Sequence, residues 1–210
     1  MYAYDENLIH KAMDSLGWMF EYGVNDYKLS LKQFYTYFLT SGYADRFSKG
    51  ESRIVSGMSG TELAMEVIYK MDPFSKLPAP SFCLNRSAEY WLGWSLAYYQ
   101  WYRNICFKNI TAATSINSIL LMYKKYHEMD ISHFVEKLDA DQENYKKSST
   151  LKRLRLYAGL SQKELSVASE IPLRTIQQYE QGQKDIRKAN VDYIVRLSKS
   201  LYCTVEDIII

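Results

Sequence analysis

The chain has 210 residues, of which 47% are hydrophobic, and its 26 Lys and Arg nearly balance its 24 Asp and Glu. This length can hold one large or two small domains with a buried core, and the near balance excludes a strongly basic or strongly acidic protein. The charge divides unevenly, however: residues 1–148 hold 16 basic and 17 acidic side chains, whereas residues 149–210 hold 10 and 7, a net charge of +3 that favours contact with a polyanion.

The first part of the chain is predicted to be helical throughout. Residues 7–22 carry apolar side chains at helical spacing. Ser30 caps a second helix, LKQFYTYFLTSGY. A third begins at Ser59 or Thr61, next to a turn bracketed by Gly50, Gly57 and Gly60. We therefore expect a multi-helix domain over residues 1–147.

Residues 72–85, DPFSKLPAPSFCLN, contain three of the four prolines. Proline restricts both itself and the residue before it to extended backbone, so this segment is predicted to be a surface connection. Its large apolar side chains, Phe74, Leu77 and Phe82, are expected to pack it onto the domain.

Ser87 opens the most apolar helix of the chain, AEYWLGWSLAYYQWYRNICF, which is predicted to be central to its domain. Aromatic side chains share one broad face of it: Trp91, Trp94, Tyr98, Trp101 and Tyr102. Such a stripe is typical of a packed core, although it can also line a ligand pocket. Two further amphipathic helices follow over residues 114–126 and 131–147, and the polar residues 146–149 are expected to link two domains.

The second domain, residues 148–210, centres on two short helices joined by a bend at residues 160–182. Ser161 and Glu164 have the spacing of a capping box for the first of these helices, on which Leu165 and Ala168 are expected to face inward. The second helix keeps Ile176 and Tyr179 on its inner face. Further inward positions are predicted on the flanking helices: Leu151, Leu154, Tyr157, Ile194, Leu197, Leu201 and Ile208.

From about residue 151 to 209 this pattern resembles the phage-repressor type of helix-turn-helix, the XRE family. The matching segments are LKRLR, GLSQKEL, TIQQYEQG, VDYIVRLSKSL and TVEDII, in that order. The resemblance implies a five-helix DNA-binding bundle whose second short helix reads the major groove. It also implies an ion pair between Arg155 and Glu180, and it places Gln162 against the DNA backbone.

The outward face of the reading helix holds the predicted base-reading residues. Paired hydrogen bonds from arginine and glutamine distinguish guanine and adenine, and an apolar side chain can contact a thymine methyl group. The four residues are Leu173, Arg174, Gln177 and Gln178. Contacts to the DNA backbone, which give affinity and salt sensitivity, are predicted for Gln162, Thr175, Lys184 and Arg187.

The bend departs from the family pattern at two positions. Glu170 stands where glycine is common, and Pro172 stands where a capping Ser or Thr is usual. A shift of the helix start by one residue would rotate different side chains toward the groove, and a carboxylate at Glu170 close to DNA would be repelled by phosphate.

The acidic start MYAYDENLIH lacks the apolar region of a signal peptide, and no uncharged apolar run approaches the about 18 residues of a membrane span. Cys83, Cys106 and Cys203 form no C-x-x-C pair, which is typical of reduced thiols. We therefore expect a cytoplasmic protein with no membrane contact, cofactor, metal site or catalytic activity.

These features predict an all-α, sequence-specific transcriptional regulator, expected to be a repressor, that binds a double-stranded DNA operator as a homodimer. The segments IVSGMSGTELAMEVI and EYWLGWSLAYYQWY are similar to N-terminal parts of regulators encoded beside small toxin-like proteins. This likeness implies an antitoxin that neutralises a protein partner and represses its own operon. Two alternatives remain: an N-terminal small-molecule sensor or enzyme tethered to a DNA-binding module, and a protein-interaction module.

Overall fold

The structure, a computed structural model, describes residues 2–81 and 85–209, and these residues form helices and no β-strand. The predicted all-α fold class is confirmed. Two compact units are present, Met1–Asp139 and Ala140–Ile210. The division between them falls inside a helix, a few residues before the linker predicted at residues 146–149.

The N-terminal unit consists of helices, four of which begin at a serine cap. Ser30, Ser59, Ser87 and Ser115 each accept a backbone N–H with the side-chain hydroxyl at a helix start. The helices are α1 (Ile9–Glu21), α2 (Leu31–Thr40), α3 (Tyr43–Ser48), α4 (Ser52–Val55), α5 (Gly60–Met71), α6 (Ala88–Arg103), α7 (Phe107–Ala113), α8 (Ile116–Tyr126) and α9 (Ile131–Lys146), which continues into the second unit.

Helix α6 lies at the centre of the N-terminal unit, packed on α1, but through a different face from the aromatic one. Gly93 allows the two backbones to meet, since a Cβ built there would lie 2.3 Å from the Leu16 carbonyl oxygen. Gly60 has the same role where α5 meets α1, and it is the first residue of α5 after the predicted cap Ser59. Of the aromatic stripe only Trp101 is buried, and the rest is half-buried.

The proline-rich connection contradicts one expectation. Phe74, predicted to pack onto the domain, is 96% exposed. Leu77 does pack against the core, and the connection is also held by a hydrogen bond of 2.7 Å from the Tyr22 hydroxyl to the Pro78 carbonyl oxygen. Phe82 and Cys83 lie outside the described residues.

The C-terminal unit contains the five-helix bundle that the sequence predicts. Its helices are α10 (Thr150–Tyr157), α11 (Gln162–Ser169), α12 (Leu173–Glu180), α13 (Val191–Leu201) and α14 (Val205–Ile209), with a 3-10 turn at Ile186–Lys188. Their apolar sides enclose one core: Leu151, Leu165, Ile171, Ile176, Tyr179, Ile194, Leu197, Leu201 and Ile208.

Two inward positions of this unit were predicted wrongly. Ala168 is exposed, and Ser169 is buried instead. Its burial is possible because its hydroxyl donates a hydrogen bond of 2.6 Å to the Leu165 carbonyl oxygen. Tyr157 is half exposed, whereas Arg155 on the same helix is buried. Both errors placed an apolar residue inside where a polar residue with a partner is found.

None of the helices in the described part of the chain has the length and apolar character needed to cross a membrane.

Candidate nucleic-acid interface

The bend between α11 and α12 is built from local hydrogen bonds and one left-handed residue. Ser161 and Glu164 form the predicted capping box at the start of α11. Glu170 ends that helix with φ +54°, a conformation that glycine adopts without steric cost. Pro172 is extended and takes the N-cap position, with its carbonyl oxygen accepting from Thr175 at 2.8 Å. The reading helix therefore begins at Leu173.

Helix α12 has a buried side and a polar side. Ile176, Tyr179 and Glu180 are buried in the bundle. Because successive helical residues are about 100° apart, Arg174 and Gln178 lie on the opposite side, about 40° from each other. Arg174 is exposed and Gln178 is half-buried. The other predicted base-reading residues, Leu173 and Gln177, and the predicted backbone contact Thr175 are half-buried on the same helix.

A buried ion pair holds the end of α12 to α10. Arg155 and Glu180 form the pair that the family resemblance implies, with Nε to Oε1 at 2.6 Å and a second bond to Oε2 at 2.9 Å. The same guanidinium donates to the Leu160 carbonyl oxygen at 2.8 Å. The two side chains are only 7% and 2% exposed, so the pair is shielded from solvent.

Gln162 completes this cluster. Its side-chain amide, predicted to contact the DNA backbone, donates to Oε2 of Glu180 at 2.7 Å. In the free protein Gln162 thus links the start of α11 to the end of α12. This contact fixes the two helices of the motif relative to each other.

The loop between α12 and α13, residues 181–190, carries basic side chains whose charge is partly neutralised by the Asp185 carboxylate in the same loop. Arg187 donates to both oxygens of Asp185, at 2.9 and 3.0 Å, and these hydrogen bonds hold the pKa of the Asp185 carboxyl below its usual value. Lys184 is exposed and forms no ion pair with any described residue. Lys184 is therefore the more available of the two predicted phosphate contacts.

The carboxylate of Glu170 has a partner that the sequence did not suggest. Arg196 on α13 lies 3.2 Å from Glu170 and 2.8 Å from Asp192. A separation of 26 residues along the chain leaves no local signal of the contact between Glu170 and Arg196. The pair offsets the negative charge beside the bend, although both side chains are exposed and the interaction is weak.

Across the described residues, no group of three or more His, Cys, Asp or Glu side chains is arranged to hold a metal ion. Cys106 and Cys203 are free thiols.

Comparison with known proteins identifies the C-terminal region. Residues 151–208 match a family model described as helix-turn-helix, which corresponds to the XRE type predicted from the sequence. No curated protein and no solved structure matched the chain. The match covers the bundle alone, so the resemblance of the N-terminal segments to toxin-linked regulators stays a prediction.

Proposed function

We propose that this chain, whose residues 151–208 are an XRE-family helix-turn-helix DNA-binding domain of a transcriptional regulator, represses transcription by reading an operator through α12. The observation that carries the proposal is the polar face of α12. Arg174 and Gln178 point away from the core, while the opposite side of the helix is held by apolar packing and by the Arg155–Glu180 pair. A rigidly held helix with base-reading side chains is suited to the major groove.

The side chains of α12 take different roles in this proposal. Arg174 bonds guanine through its guanidinium, and Gln178 bonds adenine through its amide. Leu173 contacts a thymine methyl group, and Gln177 reads a neighbouring base. Thr175, at the flank of the helix, contacts the DNA backbone.

Phosphate contacts outside α12 supply affinity that does not depend on sequence. Lys184 contributes directly because it has no ion pair among the described residues. Arg187 contributes after phosphate replaces Asp185 as its partner. Gln162 reaches the backbone at the start of α11 by exchanging its bond to Glu180.

The operator is proposed to be two-fold symmetric and the protein a homodimer. One module of this size covers only a half-site, and two-fold operators match two-fold proteins. The N-terminal unit is proposed to bind a small toxin-like protein, which would make the chain an autoregulating antitoxin. The support for this last role is the sequence similarity of the N-terminal segments alone.

Footprinting of the full chain on the DNA upstream of its own gene tests the regulator. We expect one protected region with two half-sites about 10 base pairs apart, or a multiple of this spacing. Lack of any protected region there would contradict autoregulation, and lack of selectivity against random DNA would contradict sequence-specific reading.

Co-expression with the neighbouring gene product, followed by size-exclusion chromatography, tests the antitoxin role separately. A complex of both proteins is expected. Elution of the two proteins apart would refute the antitoxin role, and elution of the chain as a monomer would refute the homodimer.

A further inference from the structure

A cavity of about 310 Å³ opens in the N-terminal unit between the start of α6 and the end of α8. Four aromatic side chains form most of its wall: Tyr90, Trp91, Trp94 and Tyr123. The remaining lining consists of Arg86, Ser87 and His127, and no carboxylate among the described residues lines it. Ligand sites have this composition, with apolar walls and a few polar groups, and volumes from about 300 Å³ upward.

Among the aromatic residues of the wall, Trp94 has the fewest ring contacts and hydrogen bonds of its own. Trp91 makes edge contacts with Tyr123 and Phe134, with ring centroids 5.8 and 5.3 Å apart. Trp94 packs against the core, but it has no ring partner and its Nε1–H has no acceptor within the part of the chain that the structure describes. A half-buried indole in this state offers both a flat apolar face and a hydrogen-bond donor.

Arg86 supplies a positive charge at the edge of the cavity. Its guanidinium carbon lies 4.7 Å from the centre of the Tyr90 ring, which holds the group in place. Its nearest carboxylate oxygen, on Asp14, is 3.9 Å away, beyond hydrogen-bonding distance, and the Arg86 side chain is 62% exposed. The donors of Arg86 are therefore available to an incoming anion. The first turn of α6 also carries Glu89, and the N-cap hydroxyl of Ser87 donates to Glu21, so the positive charge at this place comes from Arg86.

His127 closes the other side of the cavity. Its Nδ1 lies 2.8 Å from the Tyr123 carbonyl oxygen, so Nδ1–H donates to it. The centre of the imidazole lies 4.3 Å from that of the Tyr123 ring, and the two rings are tilted by 31°. This bond leaves Nε2 on the far side of the ring. The imidazole extends the aromatic wall, and its Nε2 lies 3.6 Å from a carboxylate oxygen of Glu128.

From this arrangement we propose that the cavity binds a flat aromatic carboxylate of one or two rings. The ring lies against Trp94 and Tyr123, and the carboxylate accepts hydrogen bonds from Arg86. The walls match the apolar body of such a ligand, and the Arg86 guanidinium matches its charge. The site lies wholly in the N-terminal unit and can be tested without DNA.

Isothermal titration calorimetry of the full chain with indole-3-acetate tests the proposal, with indole-3-acetamide as the neutral counterpart. We expect one binding site per chain and an affinity for the acid about ten-fold above that for the amide, the difference made by one charge-assisted hydrogen bond. Arg86→Gln should lower the affinity for the acid about ten-fold and leave the amide unchanged.

Arg103→Gln is the matched control. Arg103 lies 4.7 Å over the Tyr102 ring, as Arg86 does over Tyr90, but at the other end of α6 and outside the cavity, and it also donates to both carboxylate oxygens of Asp139. It should leave both affinities unchanged. Trp94→Ala should remove binding of both ligands, and Trp94→Phe, which keeps the apolar packing, should weaken it.

Three results would overturn the proposal. The first is no binding of indole-3-acetate to the wild-type chain at millimolar concentration. The second is equal affinity of wild type and Arg86→Gln for the acid, and the third is an equal loss in Arg103→Gln. Circular dichroism of each variant shows that the fold is retained.

Discussion

Replacement of Arg155 by methionine tests how the reading helix is held. The change leaves the Glu180 carboxylate, 2% exposed, without its ionic partner and with one remaining side-chain donor, Gln162. It also removes the donor to the Leu160 carbonyl oxygen. Removing one member of a buried pair costs about 3–5 kcal/mol. Since small domains are stable by only about 5–15 kcal/mol, we expect the C-terminal unit of Arg155→Met to be marginally folded at 25 °C.

The distribution of tryptophan allows the two units to be followed separately. All four tryptophans lie in the N-terminal unit: Trp18, Trp91, Trp94 and Trp101. In urea, Arg155→Met should therefore lose helical circular dichroism at low denaturant while its tryptophan fluorescence changes at the same concentration as in the wild type. Binding of operator DNA should be lost together with the first transition.

Two controls separate a buried charge from lost packing. The double variant Arg155→Met with Glu180→Leu removes both charges and should recover most of the stability. Arg196→Met breaks an exposed pair with Glu170 in the same unit and should cost at most about 1 kcal/mol. If Arg155→Met costs no more than Arg196→Met, or if the double variant is no more stable than the single one, the reasoning is refuted.

Three further changes test other parts of the fold and interface. Glu170→Gly should stabilise the C-terminal unit by about 1 kcal/mol in thermal unfolding followed by circular dichroism. Glycine adopts the left-handed conformation at φ +54° without the steric cost that glutamate has. An equal gain in Glu170→Ala would contradict this cause. Gly93→Ala should destabilise the N-terminal unit by about 1–3 kcal/mol, because the added Cβ would lie 2.3 Å from the Leu16 carbonyl oxygen. Urea unfolding monitored by tryptophan fluorescence measures this change, and unchanged stability would contradict close packing of α6 on α1. Lys184→Ala should weaken binding to all DNA sequences and lower the slope of log K against log salt by about one, and a sequence-dependent loss would assign it a different role.

Helix starts could be predicted because the signals that set them are local. Ser30, Ser59, Ser87 and Ser161 each precede an apolar helical pattern, and each accepts a backbone N–H in the structure. The C-terminal bundle was predicted well for a related reason, since its five segments occur in a fixed order.

The packing of α6 could not be predicted in the same way. Periodicity shows which residues share a face, but it does not show which face meets a neighbouring helix. Gly93 lets α6 approach α1 closely, and this contact leaves the larger side chains Trp91 and Trp94 half-buried. The cavity lies at the aromatic face of α6 because the helix packs on α1 through the face that carries Gly93 instead.

Helical periodicity does not predict polar burial where the partner is distant in sequence, and the Arg155–Glu180 pair was implied by the family resemblance alone. Arg155 is buried because Glu180, 25 residues away, neutralises it. The sequence alone favoured Tyr157, the more apolar residue on the same helix. The Arg196–Glu170 contact was missed for the same reason. In the predicted site, the local polar pattern indicated the outward face of α12, but the partner of Gln162 depends on the tertiary fold.

The central claim, that α12 reads base sequence, is tested most directly by the ratio of specific to non-specific DNA affinity at one salt concentration. This ratio is to be measured for the wild type and for Arg174→Ala with Gln178→Ala, using the footprinted operator and a scrambled duplex. Each bidentate contact discriminates by about 1–3 kcal/mol, so loss of both contacts should lower the ratio at least about 30-fold while helical content is unchanged. An unchanged ratio would contradict the assignment of α12 as the reading helix.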